Sequence, residues 1–237
     1  MRKMVIVLVG CLVVLVALLV IISNMTPATD EAQSSEAAIA AAKEAREEIS
    51  KESNPVATIV LTQNKQDYTF TFELFPDKAP QSVYNFMSLG NSGFYDGLTM
   101  HRVISSFVMQ GGDPDGNGSG GPDYTITGEF PSNGVETGLS HQIGALAWAR
   151  AAANDTAGSQ FYIVLDDGVQ YLDENYAVFG YMIDGFENLA HFNSISTTSQ
   201  DAPENPITIK SVSIDTKGVD YPEPDKIEDY SELEENQ

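Results

Sequence analysis

A regular alternation of apolar and polar residues early in the chain most restricts its fold. Between 68 and 74 every second residue is large and apolar, and the residues between them are threonine or glutamate. A period of two places the apolar side chains on one face of a β-strand, which needs neighbouring strands and a core. Residues 56–62 also predict a strand, and the polar stretch 64–67 suits a hairpin turn. The segment therefore predicts an antiparallel hairpin.

Short strands and two helices are predicted after this hairpin. The further predicted strands are 99–104, 145–149, 161–165, 178–182 and 207–215. Pro80 suits the first turn of a helix that Gly90 ends, and 186–192 predicts a second short helix. Many short strands with glycine-rich turns and two helices favour a mainly β fold, a closed barrel with helical caps.

An uncharged run of nineteen residues, 4–22, precedes the strands. At about 1.5 Å per residue it would span about 28 Å, close to the thickness of the hydrocarbon core of a bilayer. Arg2 and Lys3 precede it, so the positive-inside rule predicts a transmembrane signal-anchor over 1–25. The protein would then be a single-pass protein of the cell membrane, with its remaining residues on the extracytoplasmic side.

Two alternatives to a membrane anchor stay open. The first is a cleaved signal peptide, which usually has a shorter apolar region and a small-residue cleavage site. The second is lipidation at Cys11, although the apolar run continues beyond that residue. The length of the apolar run and its continuation beyond Cys11 favour the anchor over a secreted or lipid-anchored form.

Two acidic segments flank the domain predicted at 55–217. Residues 26–54 are rich in alanine and glutamate and predict a helical stalk or linker. Because this helix has few large apolar residues, we expect a solvated spacer with no face to bury. Residues 218–237 hold eight acidic residues and one basic residue, which predicts an acidic mobile tail.

Charge and cysteine content exclude several classes of function. The chain has 34 acidic and 12 basic residues, a net charge of −22, so nucleic acid is not expected as a partner. A single cysteine cannot form an intrachain disulfide. Residues 113–118 resemble the start of a calcium loop, but the twelfth position is Tyr124 rather than glutamate. The three histidines lack ligand spacing and are interpreted as structural, so no metal is expected.

Several motifs in order along the domain identify a family. They are Phe94-Tyr95-Asp96-Gly97, His101-Arg102-Val103-Ile104, Phe107-Val108-Met109-Gln110-Gly111-Gly112-Asp113, Gly120-Gly121-Pro122, Gly158-Ser159-Gln160-Phe161-Tyr162-Ile163, Tyr171-Leu172-Asp173 and Val178-Phe179-Gly180. They resemble the cyclophilin-type peptidyl-prolyl cis/trans isomerases, in particular the bacterial extracytoplasmic kind, over about 56–215. The resemblance implies a closed eight-stranded antiparallel β-barrel capped by two helices, with the active site on its outer face. It also implies catalysis without a cofactor or metal.

Peptide-bond chemistry gives an independent argument for what such a site needs. Rotation about the C–N bond meets a barrier of about 18–20 kcal/mol because the nitrogen lone pair is delocalised into the carbonyl. A catalyst must favour the twisted state, in which that lone pair is localised, and a fixed donor aimed at the nitrogen does so. A guanidinium suits this role because it is charged and rigid. By its place in the motif, Arg102 matches the family's catalytic arginine.

The resemblance also implies a substrate site around this arginine. The implied substrate-binding residues are Phe107, Val108, Gln110, Ala149, Arg150, Gln160, Tyr162, Tyr171, Leu172 and Tyr176. The apolar members would line a slot for the proline ring. The two glutamines would hydrogen-bond the peptide backbone beside the proline, as the alanine and arginine positions do in relatives. An alternative for Gln160 is a buried amide that its own chain satisfies.

Four positions depart from the family pattern. Val108 stands where many relatives have methionine, which predicts a wider slot. Tyr162 adds a hydroxyl where phenylalanine is usual, which predicts a more polar slot wall. Tyr171 replaces a tryptophan, so tight cyclosporin binding is not expected, and Tyr176 replaces a common histidine.

The sequence thus predicts a membrane-tethered isomerase that acts on proline-containing polypeptide clients and assists the folding of secreted or surface proteins. A proline-peptide binding or holdase module with little turnover is the alternative, motivated by Val108 and Tyr162. A third hypothesis is a structural envelope protein. Peptide binding without faster exchange would indicate the binding module. The absence of both peptide binding and faster exchange would indicate the structural protein.

Overall fold

The computed structural model describes residues 27–228, in which eight strands form one curled antiparallel sheet. The strands are β1 Val56–Gln63, β2 Gln66–Leu74, β3 Arg102–Ile104, β4 Val108–Gly111, β5 Ala145–Trp148, β6 Phe161–Val164, β7 Val178–Asp184 and β8 Thr208–Asp215. The helices are α1 Pro27–Glu47, α2 Pro80–Asn91 and α3 Leu189–Asn193, with single 3₁₀ turns at Pro131–Asn133, Gln170–Leu172 and Phe186–Asn188. The mainly β, antiparallel class that the sequence predicts is confirmed.

The sheet runs in the order β3-β4-β6-β5-β7-β2-β1-β8, so β3 and β8 are its edges. The segment just before β3 hydrogen-bonds to β8. The amide of Gly97 donates to the carbonyl of Ile209 at 2.8 Å, and the amide of Ile209 donates to the carbonyl of Leu98 at 2.7 Å. These bonds satisfy backbone groups of β8 that its free edge would otherwise leave unpaired.

The hairpin between β1 and β2 has the turn that its polar sequence predicts. Gln63 pairs with Gln66, which leaves Asn64 and Lys65 as a two-residue loop with φ of 52° and 67°. Positive φ at both loop positions matches the twist of the flanking strands. The alternating apolar residues of β2, including Phe70, are buried on the core side, as predicted.

A buried carboxylate caps helix α2, which begins at the predicted Pro80. Glu129 accepts hydrogen bonds from the amide of Gln81 at 3.0 Å and the amide of Ser82 at 2.8 Å. These bonds satisfy two of the amides that a helix leaves free at its start. Burial raises the pKa of Glu129, although the bonds from Ser82 and Gln81 oppose this effect. Behind the cap, α2 contributes Phe86 to the core.

Aromatic rings fill the core between α2 and the sheet. The ring of Phe86 lies 5.4 Å from Tyr95, 5.5 Å from Phe161 and 5.3 Å from Phe179, measured between centroids. Trp148 stacks on Phe179 and is 1% exposed, so it belongs to the same aromatic core. The core therefore supports β5, β6 and β7, which carry part of the site.

The chain before β1 packs on the domain through a second buried carboxylate. From Ala38 onward the chain belongs to the same compact unit as the sheet. Glu73 on β2 accepts hydrogen bonds from Arg46 Nη1 at 3.0 Å, Ser50 Oγ at 2.8 Å and Asn54 Nδ2 at 2.9 Å. The expectation of a spacer with no face to bury is wrong for these residues, because a buried carboxylate requires donors and this segment supplies them.

The first half of the acidic tail also lies along the domain. Ile227 exchanges two backbone hydrogen bonds with Thr125, at 3.0 and 2.9 Å. The hydroxyl of Tyr221 donates to the carbonyl of Ser53 at 3.1 Å. The acidic composition alone gave no indication of these contacts. Residues 229–237 lie outside the described part of the chain.

The predicted membrane anchor at 1–25 also lies outside the described residues. Across 27–228, none of the helices has the length and apolar character that crossing a bilayer requires. The anchor therefore stays a prediction from the sequence.

The pairing of Glu73 predicts a large effect of its removal on stability. Glu73→Ala leaves a guanidinium, a hydroxyl and an amide without their acceptor, and should lower the free energy of unfolding by about 3 kcal/mol. Asp77→Ala is the matched control, since it removes an exposed ion pair with Lys51 and should cost less than about 1 kcal/mol. Urea unfolding of both variants measures the difference, and equal effects would contradict this assignment.

Candidate active site

Strand pairing places Arg102 beside Gln110. The two residues are direct partners in the β3–β4 register, and Arg102 Nη1 donates to Gln110 Oε1 at 3.3 Å. The Nε atom of Arg102 lies 3.7 Å from a carboxylate oxygen of Asp201. The guanidinium thus has one hydrogen-bond acceptor and one nearby carboxylate. The side chain of Arg102 is 40% exposed, so it is still open to solvent.

The hydrogen-bond chain continues from Gln110 to a glycine-rich loop. Gln110 Nε2 donates to Gln160 Oε1 at 2.9 Å, and Gln160 Nε2 donates to the carbonyls of Gly118 at 3.0 Å and Gly120 at 2.9 Å. The amide of Gln160 is thus satisfied by its own chain, but it is partly exposed rather than buried as the alternative for it supposed. A direct contact of Gln160 with a peptide stays a prediction.

Most of the predicted site residues meet around a cavity of about 280 Å³. Its lining residues are Arg102, Phe107, Val108, Gln110, Ala149, Arg150, Tyr162, Leu172 and Tyr176. Gln160 instead lines an adjoining cavity of about 430 Å³, together with the glycine-rich loop. We call the smaller cavity the slot. It combines apolar side chains with two guanidiniums, those of Arg102 and Arg150, which suits a ring attached to a peptide bond.

Tyr171 lies outside both cavities. It sits on the 3₁₀ turn Gln170–Leu172 and is 67% exposed. Its ring is nearly parallel to that of Phe107, with 6.4 Å between centroids. It therefore stands next to the slot as an exposed aromatic surface.

Arg150 braces the loops that border the slot. Its Nε donates to the carbonyl of Asn175 at 2.9 Å, and its Nη1 donates to the carbonyl of Ala151 at 2.9 Å. The guanidinium lies 4.9 Å from the ring centroids of both Phe130 and Tyr176. These contacts engage Arg150 with its own chain, which adds a local structural role to the substrate-backbone role that its position implies.

The hydroxyl of Tyr162 does not make the slot wall more polar. It lies 2.8 Å from Nε2 of His141, which is fully buried behind the slot. Tyr162 itself is 5% exposed, and burial raises the pKa of its hydroxyl well above the usual value. The predicted polar wall is therefore wrong, because the hydroxyl is paired inside the protein.

The segment that resembles a calcium loop is organised by its own carboxylate. Asp113 accepts hydrogen bonds from the amides of Asp115 at 2.8 Å, Asn117 at 2.9 Å and Gly118 at 2.5 Å. Burial alone would raise the pKa of Asp113, but these bonds outweigh it and the pKa is lowered. A Cβ at Gly120 would stand 2.1 Å from an Asp113 oxygen, so the loop requires glycine there. Among residues 27–228 no three His, Cys, Asp or Glu side chains are grouped to hold a metal ion.

Three polar residues at or behind the site were not predicted to have a role there. Asp201 contacts Arg102, but the two residues are about a hundred positions apart in the chain. Asp201 also belongs to no motif that could have indicated the contact. His141 was interpreted only as structural. Asp173 falls within a quoted motif, which was a usable signal, and it contacts His141 Nδ1 at 2.6 Å.

Residues 58–214 match the family model described as "Cyclophilin type peptidyl-prolyl cis-trans isomerase/CLD". The chain belongs to this family. It is 50% identical over 116 residues to peptidyl-prolyl cis-trans isomerase B of Bacillus subtilis. The aligned residues are 49% of this chain and 77% of that protein. Two crystal structures of a Cryptosporidium parvum cyclophilin type isomerase are 32% identical and cover 68% of this chain and 98% of theirs, with TM-scores of 0.60 and 0.61. One of them was determined in the presence of the dipeptide Ala-Pro.

The lowered pKa of Asp113 predicts a pH-dependent contribution to stability. The ionised carboxylate stabilises the fold above the ordinary pKa of about 4, and this contribution is lost as pH falls through the lower folded-state pKa. Asp113→Ala should therefore cost about 2 kcal/mol at neutral pH and less below about pH 3. Urea unfolding against pH measures this, with the exposed Asp115→Ala as control. A loss in Asp113→Ala that is independent of pH would contradict it.

Proposed function

We propose that this cyclophilin-type isomerase uses Arg102 as its catalytic group and the slot as its proline site. The observation that carries the proposal is the guanidinium of Arg102, held by Gln110 beside a cavity that Phe107, Val108 and Leu172 help to line. Phe107, Val108 and the other apolar members would hold the ring while the chain on the far side of the peptide bond rotates.

The geometry suits rotation because no bond is made or broken. In the planar ground state the lone pair of the proline nitrogen is delocalised, and in the twisted state it becomes an acceptor. The guanidinium of Arg102 then gains a hydrogen bond that it cannot make with the planar bond, so it stabilises the twisted state more strongly. An acceleration of about 10⁴ requires about 5.4 kcal/mol of such differential binding.

A fixed orientation of the donor is essential to this scheme. Gln110 and Asp201 each contact a different nitrogen of Arg102, which limits rotation of the planar guanidinium. Because the donor is ordered before the substrate binds, little entropy is lost when the twisted state forms.

We further propose that the substrates are proline-containing segments outside the cytoplasm. The crystal structure of the Cryptosporidium parvum relative in the presence of Ala-Pro supports a short Ala-Pro peptide as the test substrate. The uncharged run at 4–22 supports a membrane-anchored form, with the isomerase domain facing unfolded secreted or surface proteins.

Replacement of Arg102 tests the catalytic assignment. Arg102→Ala should lower kcat/KM at least ten-fold, since the donor to the proline nitrogen is lost. Arg102→Lys keeps the charge without the rigid fork and should recover only part of the rate. Lys210→Ala, which removes an exposed surface charge, is the control and should leave the rate unchanged. Exchange of an Ala-Pro peptide followed by NMR measures all three.

The same spectra separate catalysis from binding alone. Peptide shifts without faster exchange in the wild-type protein would identify a proline-peptide binding module. A loss of less than ten-fold in Arg102→Ala would remove Arg102 from the centre of the mechanism.

Membrane anchoring is tested by fractionation of cells that produce the full chain. We expect the chain in the membrane fraction, with its original amino terminus by sequencing, and release into the soluble fraction on deletion of 1–25. Cys11→Ser should not alter the distribution. A new amino terminus after the apolar run would instead show a cleaved signal, and release by Cys11→Ser would show lipidation.

A further inference from the structure

A hydrogen-bonded histidine connects two walls of the slot from behind. His141 is fully buried. Its Nδ1 lies 2.6 Å from Asp173 Oδ1, and its Nε2 lies 2.8 Å from the hydroxyl of Tyr162. Tyr162 lines the slot from β6, and Asp173 directly follows Leu172, which lines it from the 3₁₀ turn. One imidazole therefore joins a strand and a turn that both face the proline site.

The hydrogen-bond directions in this group follow from the carboxylate. Burial by itself would raise the pKa of Asp173, but bonds from His141 and Ser140 outweigh it and the pKa is lowered. An ionised carboxylate only accepts, so Nδ1–H of His141 donates to it. In the neutral imidazole Nε2 is then the acceptor for Tyr162, whose buried hydroxyl has a pKa raised well above the usual value and so keeps the proton that it donates.

The carboxylate also fixes the backbone around the histidine. Asp173 accepts from the amide of His141 at 2.7 Å and from Ser140 Oγ at 2.6 Å. The segment 140–141 and the turn that carries Leu172 are thereby held together. With every polar atom of the group paired, the ring of Tyr162 cannot move without breaking a buried hydrogen bond, and the turn cannot move without breaking the partly buried bonds of Asp173.

We propose that His141 is a positioning residue for the proline slot, which acts through the hydroxyl of Tyr162 and the carboxylate of Asp173. This inference rests on the proposed function of the slot and extends it to residues that do not touch the substrate. The ring of Tyr162 and the side chain of Leu172 offer no hydrogen-bonding groups to the slot, because the Tyr162 hydroxyl is bound to His141. A bound proline therefore cannot orient these two walls through hydrogen bonds. His141 supplies that order from the other side and keeps the slot at one width.

The test uses three variants of the full chain that separate the two bonds of the imidazole. His141→Asn places an amide near the position of Nδ1, so it can keep the bond to Asp173 while the hydroxyl of Tyr162 loses its partner. Tyr162→Phe removes that hydroxyl. The double variant removes the bond without leaving a buried unpaired hydroxyl.

The first readouts are the Kd of an Ala-Pro peptide by NMR titration and the midpoint of thermal unfolding. We expect His141→Asn to raise the Kd by about three- to ten-fold and to lower the midpoint. Tyr162→Phe should raise the Kd less. The double variant should match Tyr162→Phe rather than show the product of both effects, because His141 acts through the hydroxyl.

His191→Asn is the matched control, since His191 is a partly buried histidine away from the slot. It contacts Gln63 at 2.8 Å and stacks on Tyr68. We expect a lower unfolding midpoint with an unchanged Kd. A second readout needs no peptide: the hydroxyl proton of Tyr162 should be protected from exchange with water in the wild-type protein and unprotected in His141→Asn.

A purely structural histidine would give a different pattern. An unchanged Kd in His141→Asn despite a lower midpoint, or a Kd in the double variant equal to the product of the single effects, would overturn the proposal. Failure of the proposed function is distinguishable, because it would show as absent acceleration of exchange in the wild-type protein. The dependence of Kd on His141 would still be measured in that case.

Discussion

A chain of side-chain hydrogen bonds across the sheet edge determines where Arg102 points. Arg102 donates to Gln110, Gln110 donates to Gln160, and Gln160 donates to two carbonyls of the glycine-rich loop. Each amide uses its oxygen for one neighbour and its NH₂ group for the next, so the orientation of each member depends on the others. A donor held in this way is ordered before a substrate arrives, which stabilisation of a twisted peptide bond requires.

Buried carboxylates organise the segments around this chain. Asp113 holds the glycine-rich loop, Glu129 caps α2, and Glu73 accepts hydrogen bonds from the chain before β1. For these three an acidic group in the interior would be costly without donors, so distant segments converge on it. Asp173, which is partly exposed, joins two segments behind the slot through its bonds to Ser140 and His141. The strongly acidic composition of the chain is thus partly used inside the domain as well as on its surface.

Local sequence patterns predicted most of the elements. Helix α2 and strands β5, β6 and β7 begin at the predicted residues, since their start signals are local turns, proline and apolar runs. Strand β4 was not predicted as a strand, because it is short and runs into Gly111-Gly112, a pair that is typical of turns. The order of strands across the sheet was inaccessible to these patterns, since β1 pairs with β8 and β2 with β7 over long separations in sequence.

The sequence by itself determined which residue types stand along the site strands, because motif spacing fixes the register of side chains within a strand. Thus Arg102, Gln110 and the apolar slot residues could be assigned together by resemblance to a family. Only the tertiary structure decided their polar partners: Asp201 beside Arg102, and His141 behind Tyr162. For His141 and Tyr162 the physical reason is that a polar group must find a partner once burial removes it from water. Arg102 and Asp201 are both partly exposed, and they meet because the backbone of Asp201 hydrogen-bonds to β3 at Val103. Which distant segment supplies that partner depends on the complete fold.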